Sequence, residues 1–144
     1  VGACSILRFL DCSGNRLTVL DVSNNAALWR MNCSHNRLAK LEVSSNIKLS
    51  DLDCGSNRID TLDVSRNAEL SELECSINKL TTLDVSRNGS LKGLYCNAMP
   101  TLESIYFNKE NDIRKISYSK DIADLYAVNE TGMAEVTTVE REEE

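Results

Sequence analysis

Apolar and polar residues alternate along the chain in a pattern that repeats every 21 positions. Each period opens with the text L-x-x-L-x-C-x-x-N-x-L, which begins at position 7, recurs in full three more times and has a partial copy at 91. A second apolar segment lies between these copies, written LDVSRN at 62–67 and again at 83–88. A fixed internal period of this length indicates stacked structural repeats.

Each period is predicted to form one coil. Apolar residues that alternate with polar ones point to one side of a short strand, so Leu28 and Met31 face inward on one wall, and Leu41 and Val43 face inward on the opposite wall. One coil cannot bury these residues alone, but stacked coils share a continuous core. The pattern therefore predicts a β-rich solenoid of about five to six coils, with short parallel strands on two walls and little helix.

Cysteine and asparagine occupy columns with the same period. The chain has no Cys-x-x-Cys pair and a single histidine, His35, so a zinc site is not expected. The cysteines are predicted to be buried free thiols that act as small apolar residues. The asparagines are predicted to form corners, because they tolerate turn geometry and their amides can bond buried backbone groups. The cysteine column is Cys12, Cys33, Cys54, Cys75 and Cys96, and the asparagine columns are Asn15, Asn36, Asn57 and Asn78, and Asn25, Asn46, Asn67 and Asn88.

The repeat becomes irregular toward its end, where Met99 stands in place of the expected asparagine. The regular coils are predicted to span 7–96, and degenerate coils that act as a C-terminal cap are predicted over 97–130. Together they form one predicted domain over 1–130. The acidic residues of 131–144 are predicted to form a frayed tail.

With these motifs aligned, the chain resembles the leucine-rich repeat family. Within it, the chain is similar to the cysteine-containing, 21-residue type found in secreted and surface proteins of Bacteroidetes-like bacteria. The resemblance covers 7–118 and depends on the four full copies of the motif. It implies a right-handed, curved solenoid that binds proteins or other macromolecules outside the cell or at the cell surface, associated with the outer membrane. It implies no catalytic residue set and no cofactor.

Charge and composition narrow the range of partners. The 144 residues carry a formal net charge of −6, which argues against nucleic acids and anionic membranes as partners. No apolar run is long enough to cross a membrane as a helix. A lipid anchor stays an alternative, either upstream or at Cys4, because the letters VGAC at 1–4 resemble the end of a bacterial lipoprotein cleavage site.

The copies differ most at the outward positions of the cysteine-bearing wall, where we expect ligand recognition. Asp51, Asp53, Glu72 and Glu74 belong to adjacent coils about 5 Å apart, so their carboxylates should form one acidic patch. Their mutual repulsion favours a cationic partner, which is either a basic protein surface or a calcium ion. Aromatic residues flank the patch and are expected to act as anchors. The predicted partner-binding set is Phe9, Trp29, Arg30, Asp51, Asp53, Glu72, Glu74 and Tyr95.

Three functions are open from the sequence, and the leading one is a non-catalytic protein-binding module that uses this face. The alternatives are a structural spacer or display arm of a larger surface protein and a calcium-dependent adhesion module. The patch itself can also be an ordinary solvated surface. An enzyme has the least support, because His35 cannot form a nucleophile–base set by itself and no glycine-rich phosphate loop is present.

Overall fold

The computed structural model describes residues 4–108 and, beyond them, the strands within 115–118, 124–129 and 132–135. Over these residues the chain is a parallel β-solenoid of about five turns without a helix, which confirms the predicted fold class. No helix among them could therefore span a membrane. The strands are β1 (Phe9–Asp11), β2 (Arg30–Asn32), β3 (Asp51–Asp53), β4 (Glu72–Glu74), β5 (Thr82–Asp84), β6 (Gly93–Cys96), β7 (Ser104–Asn108), β8 (Lys115–Tyr118), β9 (Asp124–Asn129) and β10 (Gly132–Glu135).

The cysteine-bearing wall is a six-stranded sheet in the order β1-β2-β3-β4-β6-β8. Its strands pair in parallel, and the register places residues 21 positions apart side by side from β1 to β4, as Phe9 beside Arg30 and Arg30 beside Asp51. Each strand is only three or four residues long, so it presents a short outward surface. The length of this wall therefore comes from the number of stacked strands and not from the length of each strand.

The opposite wall is a sheet only in its last part. β5, β7 and β9 pair in parallel there, and β10 adds to β9 in antiparallel fashion. The equivalent segments of the earlier coils are not strands, and single backbone hydrogen bonds join the coils nearby, such as the bond from Arg37 N–H to the Leu17 carbonyl at 2.8 Å. The predicted division into 1–130 and 131–144 stays a prediction, and β10 lies within the segment assigned to the tail.

The core lies between the two walls and consists of columns of equivalent side chains. Leu28, Leu49, Leu70 and Leu91 form one such column, and none is more than 1% exposed. Burial of a leucine contributes about 1.5–3 kcal/mol to folding, so each column is a large stabilising term. In the first coil the equivalent Leu7 is only partly buried, because a neighbouring coil covers it on one side alone.

The irregular segment after Cys96 continues the same core. Met99, Leu102, Ile105 and Phe107 are all buried. The alternation of the sequence places the last three inward, and the role of this segment as a cap stays a prediction. The apolar alternation of the sequence also places Ile113 and Ile122 inward, and both lie outside the described residues.

Each of the first five coils turns one corner at a residue in the left-handed conformation. The sequence suggests that asparagine supplies this geometry, but the positive φ falls on the residue immediately before the asparagine position, which Met99 occupies in the fifth coil. These residues are Gly14, His35, Ser56, Ile77 and Ala98, with φ between 50° and 65°.

The asparagines of this corner join one coil to the next. The Nδ2 group of Asn36 donates to the carbonyls of Cys12 at 2.9 Å and Cys33 at 3.1 Å, and its Oδ1 atom accepts the N–H of Leu17 at 2.9 Å. Asn57 and Asn78 repeat this arrangement. One side chain thereby satisfies backbone groups that stacking removes from water.

The second asparagine column acts through its donors. The Nδ2 group of Asn67 donates to the carbonyls of Val43 at 3.0 Å and Asn46 at 2.9 Å, both in the preceding coil. The buried Oδ1 atoms of Asn46 and Asn67 have no hydrogen-bond partner. This column therefore satisfies carbonyl groups at the cost of two unpaired amide oxygens.

Candidate partner-binding face

The outward side chains of the cysteine-bearing sheet form two parallel rows. In the strand register, the first outward residue of each strand belongs to one row, the outer row. The outward residue two positions later belongs to a second row, the inner row. Adjacent strands lie about 4.8 Å apart, so each row presents one residue per coil at that interval. The outer row is Phe9, Arg30, Asp51, Glu72 and Gly93, and the inner row is Asp11, Asn32, Asp53, Glu74 and Tyr95.

The two rows border a groove of about 610 Å³. Its lining contains every predicted partner-binding residue except Trp29, together with Asp11 and Asn32. Residues 21 positions apart become neighbours when the coils stack in parallel. Residues that are distant in the sequence therefore lie on one surface.

Trp29 lies beside the groove rather than in it. Its ring meets Phe9 edge to face, with centroids 5.4 Å apart and planes at 85°. The indole borders a second depression of about 430 Å³, which Arg8, Lys48 and Glu69 also line. Phe9 and Trp29 are 57% and 46% exposed, so two aromatic rings are available at the β1 end of the groove.

The acidic patch is only partly neutralised. The guanidinium of Arg30 and the Oδ1 atom of Asp51 are 3.7 Å apart. Among the described side chains, this is the single ion pair in which Asp51, Asp53, Glu72 or Glu74 takes part. The Arg30 side chain is 62% exposed and the Asp51 side chain 23%. Arg30 offsets one of the five carboxylates in the lining, so the groove keeps an excess of negative charge.

The inner row has a structural task that the sequence analysis missed. Asp53 Oδ1 accepts the N–H of Gly55 at 3.0 Å, and Glu74 Oε1 accepts the N–H of Ser76 at 2.7 Å. Asn32 makes the same bond without a charge, to the N–H of Ser34 at 3.0 Å. The signal was present in the sequence, because an acceptor side chain stands two residues before Ser or Gly in each full copy.

Asp11 begins the same row and shows the electrostatic effect of this turn. The hydroxyl and the N–H of Ser13 both donate to its Oδ1 atom, at 2.7 and 2.9 Å. These bonds lower the pKa of Asp11 below its ordinary value, because they favour the ionised carboxylate. The groove therefore begins with a carboxylate that stays charged at neutral pH.

Glu72 takes an unusual place in the outer row. Its side chain folds over Gly93 in the next strand, and a Cβ atom at Gly93 would overlap the carboxylate, with the Glu72 Cδ only 2.7 Å away. Gly93 is buried beneath this side chain, although Glu72 beside it in the row is exposed. The missing side chain at Gly93 therefore sets the position of the Glu72 charge, and the sequence analysis did not include Gly93 in the site.

The opposite wall carries an acidic column with an architectural role. Asp21, Glu42, Asp63 and Asp84 each accept the N–H of the serine two residues later at 2.9 Å. Hydrogen bonds from the serine hydroxyl and N–H lower the pKa of the first three carboxyl groups. A shallow depression of about 490 Å³ lies along Glu42, Asp63 and Asp84. This wall provides a natural comparison for the groove, since it has the same charges and the same turn bonds.

The cysteine column lies behind the groove, and its buried thiols are unreactive. Cys33, Cys54, Cys75 and Cys96 are buried free thiols, and Cys4 is exposed. Burial raises the pKa of Cys33 and Cys96 to about 12, and it raises the pKa of Cys54 and Cys75 as well. Since the thiolate is the reactive form, these four side chains act as apolar core residues.

A metal site is not evident on this face. Within the described part of the chain, no group of three or more His, Cys, Asp or Glu side chains is arranged to hold a metal ion. The acidic side chains of the groove are arranged in two rows rather than around one point. The calcium-dependent alternative therefore gains no support from the geometry.

Comparisons with known proteins show similarity to solved structures, two of which are described here. The chain is similar to the functional domain of InlJ from Listeria monocytogenes, which includes a cysteine ladder, at 39% identity over 78% of this chain and 25% of that one, with a TM-score of 0.75. It is also similar to the leucine-rich repeat protein LIC12759 from Leptospira interrogans, at 18% identity over 84% of this chain and 38% of that one, with a TM-score of 0.60. No family model and no curated protein matches the chain.

These likenesses agree with the fold and with the repeat. The second shows the fold alone, and the chain spans a quarter of the length of the first protein and well under half of the second. Both proteins are bacterial, while an origin in Bacteroidetes-like bacteria stays a prediction. The 21-residue motif, the parallel solenoid and the buried cysteine column together lead to one conclusion. The chain has the fold of a leucine-rich repeat solenoid.

Proposed function

We propose that the chain is a non-catalytic module that binds a protein with a basic surface, and that the partner occupies the groove between the outer and inner rows. One observation carries this proposal. Five carboxylates line the groove, and Arg30 is the one cation in its described lining. Such an excess of one sign speeds encounter with an oppositely charged partner and excludes acidic ones.

The aromatic residues supply the second part of the recognition. Phe9 stands at one end of the groove and Tyr95 at the other, and Trp29 supports Phe9 from the side. Aromatic side chains with a polar surround are enriched among the residues that dominate binding energy. The proposed partner therefore meets apolar contacts at both ends of a negatively charged centre.

An enzyme is less well supported than a binding module. The described lining of the groove holds no histidine, cysteine or serine, so a Ser–His or Cys–His pair is not available there. Its carboxylates could act as a pair only in a cleft that excludes water, and they lie on the open face of a sheet. Both relatives are solenoids of the same kind, and fold alone does not assign a reaction.

The proposal includes a location outside the cell or at its surface. The resemblance to secreted and surface leucine-rich repeat proteins supports this location. A lipid anchor at Cys4 is compatible with it, since that thiol is exposed. Labelling of intact cells with a membrane-impermeant reagent tests this part separately.

The main experiment removes charge while it keeps the turn bonds. The groove variant combines Asp51→Asn, Asp53→Asn, Glu72→Gln and Glu74→Gln, because Asn32 already performs the turn bond at the equivalent position. The opposite-wall variant combines Asp21→Asn, Glu42→Gln, Asp63→Asn and Asp84→Asn as a matched control. Proteins from the native surroundings are captured on each form at low and at high salt.

We expect a partner that wild type and the opposite-wall variant retain equally. The groove variant should bind it at least about tenfold more weakly, and high salt should weaken wild-type binding too, because exposed charges are screened over about 8 Å at physiological ionic strength. Retention by the groove variant would move the site elsewhere. If both variants lose the partner equally, the net charge of the protein and not this groove controls binding. If wild type captures no partner, the structural spacer is favoured.

A further inference from the structure

The chemical character of the groove changes in a definite order along the stacking direction. It begins with the exposed Phe9 at β1, with Trp29 beside it, and continues with Arg30 and Asn32 at β2. The next two strands are acidic at both outward positions. At β6 the outer row has no side chain and the inner row ends in Tyr95. Asp11 stands beside Phe9 on β1, so a partner has to match an aromatic residue with a carboxylate, a mixed step, two acidic steps and an aromatic step in this order.

The interval between these steps restricts the backbone of the partner. Neighbouring strands are about 4.8 Å apart, so the four intervals from Phe9 to Tyr95 cover about 19 Å. Side chains on one face of an α-helix recur about every 5.4 Å along its axis. Those on one face of an extended chain recur about every 6.7 Å, and those of a polyproline II helix about every 9.3 Å.

A helix is the conformation that supplies one facing residue for each strand. Over four intervals its mismatch accumulates to about 2.4 Å, which the flexible stems of Lys and Arg can absorb. An extended segment supplies about two facing residues for every three strands. It therefore cannot place one side chain on each of β3 and β4 and also contact both Phe9 and Tyr95.

From this geometry we infer that the partner presents an α-helix that lies across the strands, with one helical turn for each coil. The inference rests on the proposed function and specifies its ligand. The helix carries basic residues opposite Asp51 and Asp53 and, one turn later, opposite Glu72 and Glu74. It carries apolar residues opposite Phe9 and Tyr95, and about 13 residues cover the distance.

Three synthetic peptides of equal length and equal net charge test this inference. The first is a side-chain-stapled helix with apolar, basic, basic and apolar residues on one face at positions 1, 8, 12 and 15, spacings chosen for about two turns and then one turn each. The second is a stapled helix with its two basic residues moved to the opposite face. The third has the order of the first, but two central prolines replace helix formers. Fluorescence anisotropy measures their binding to wild type, the groove variant and the opposite-wall variant.

We expect the first peptide to bind wild type and the opposite-wall variant at least about tenfold more tightly than the other two peptides, a difference of about 1.4 kcal/mol. The groove variant should abolish this preference. If the proline peptide or the helix with displaced charges binds equally well, the inference of a helical ligand is wrong, while the proposal of a basic partner is kept. If no peptide distinguishes wild type from the groove variant, the proposed function fails together with the inference.

Discussion

At the scale of single residues, polar side chains in this protein hold the coils together by bonding backbone groups. Asn78 shows this most fully, since its Nδ2 group donates to the carbonyls of Cys54 and Cys75 and its Oδ1 atom accepts the N–H of Ile59. All these bonds are buried or nearly so, and water cannot replace them. The repeated asparagine therefore has a structural role, since it bonds backbone groups of neighbouring coils.

The substitution Asn78→Ala should lower the free energy of unfolding by about 2–5 kcal/mol, because each buried backbone group left without a partner costs about 1–3 kcal/mol. Asn15→Ala is the matched control. Asn15 occupies the same column and bonds the carbonyls of Cys12 and Ser13, but it is exposed, so its loss should cost under about 1 kcal/mol. Denaturant unfolding measures both, and equal losses would contradict the assigned role.

At the scale of one coil, the corner before the asparagine imposes a left-handed backbone on whatever residue stands there. Gly14 adopts it freely, but Ile77 adopts it with φ 55° and a β-branched side chain that is 54% exposed. A left-handed conformation costs an ordinary residue about 1–2 kcal/mol. The stack of coils therefore overrides local preference at this position.

Replacement of Ile77 by glycine should relieve this strain and raise the free energy of unfolding by about 0.5 kcal/mol, after the greater flexibility of glycine in the unfolded chain is subtracted. Ile47→Gly is the control, since Ile47 is 53% exposed but its φ is not positive. That variant should lose about 1 kcal/mol. Thermal and denaturant unfolding of the pair measure the difference, and identical changes would show that the corner is not strained.

At the scale of the whole molecule, stacking lines up equivalent residues, and the buried cysteine column extends through the solenoid. Burial raises the pKa of these thiols, to about 12 for Cys33 and Cys96. The folded protein keeps these protons at a pH at which the unfolded chain, with an ordinary thiol pKa near 9, has released them. The stabilisation is complete below pH 9 and declines as the pH rises toward 12.

Unfolding should therefore become easier above pH 9, by about 1.4 kcal/mol per pH unit for each such thiol. Cys96→Ala removes one thiol and should give a shallower decline, although it is less stable than wild type at pH 8 because of the smaller side chain. Denaturant unfolding between pH 8 and 10.5 gives both slopes. Both proteins contain the same lysines and tyrosines, so the titration of these groups cancels in the difference between the two slopes. Equal slopes would show that Cys96 titrates as an exposed thiol.

The sequence by itself determined the coil, the inward columns and the composition of the two outward rows. A fixed period together with the two-residue alternation of a strand leaves one way to stack the copies, so Asp51 and Glu72 had to be neighbours. Tertiary structure alone decided how each side chain is used. Asp53 and Glu74 close turns, Glu72 folds over Gly93, and Trp29 lies beside the groove, because contacts between neighbouring coils set these positions. The second wall likewise became a sheet only where β5, β7 and β9 approach closely enough to pair, and spacing along the chain does not encode that distance.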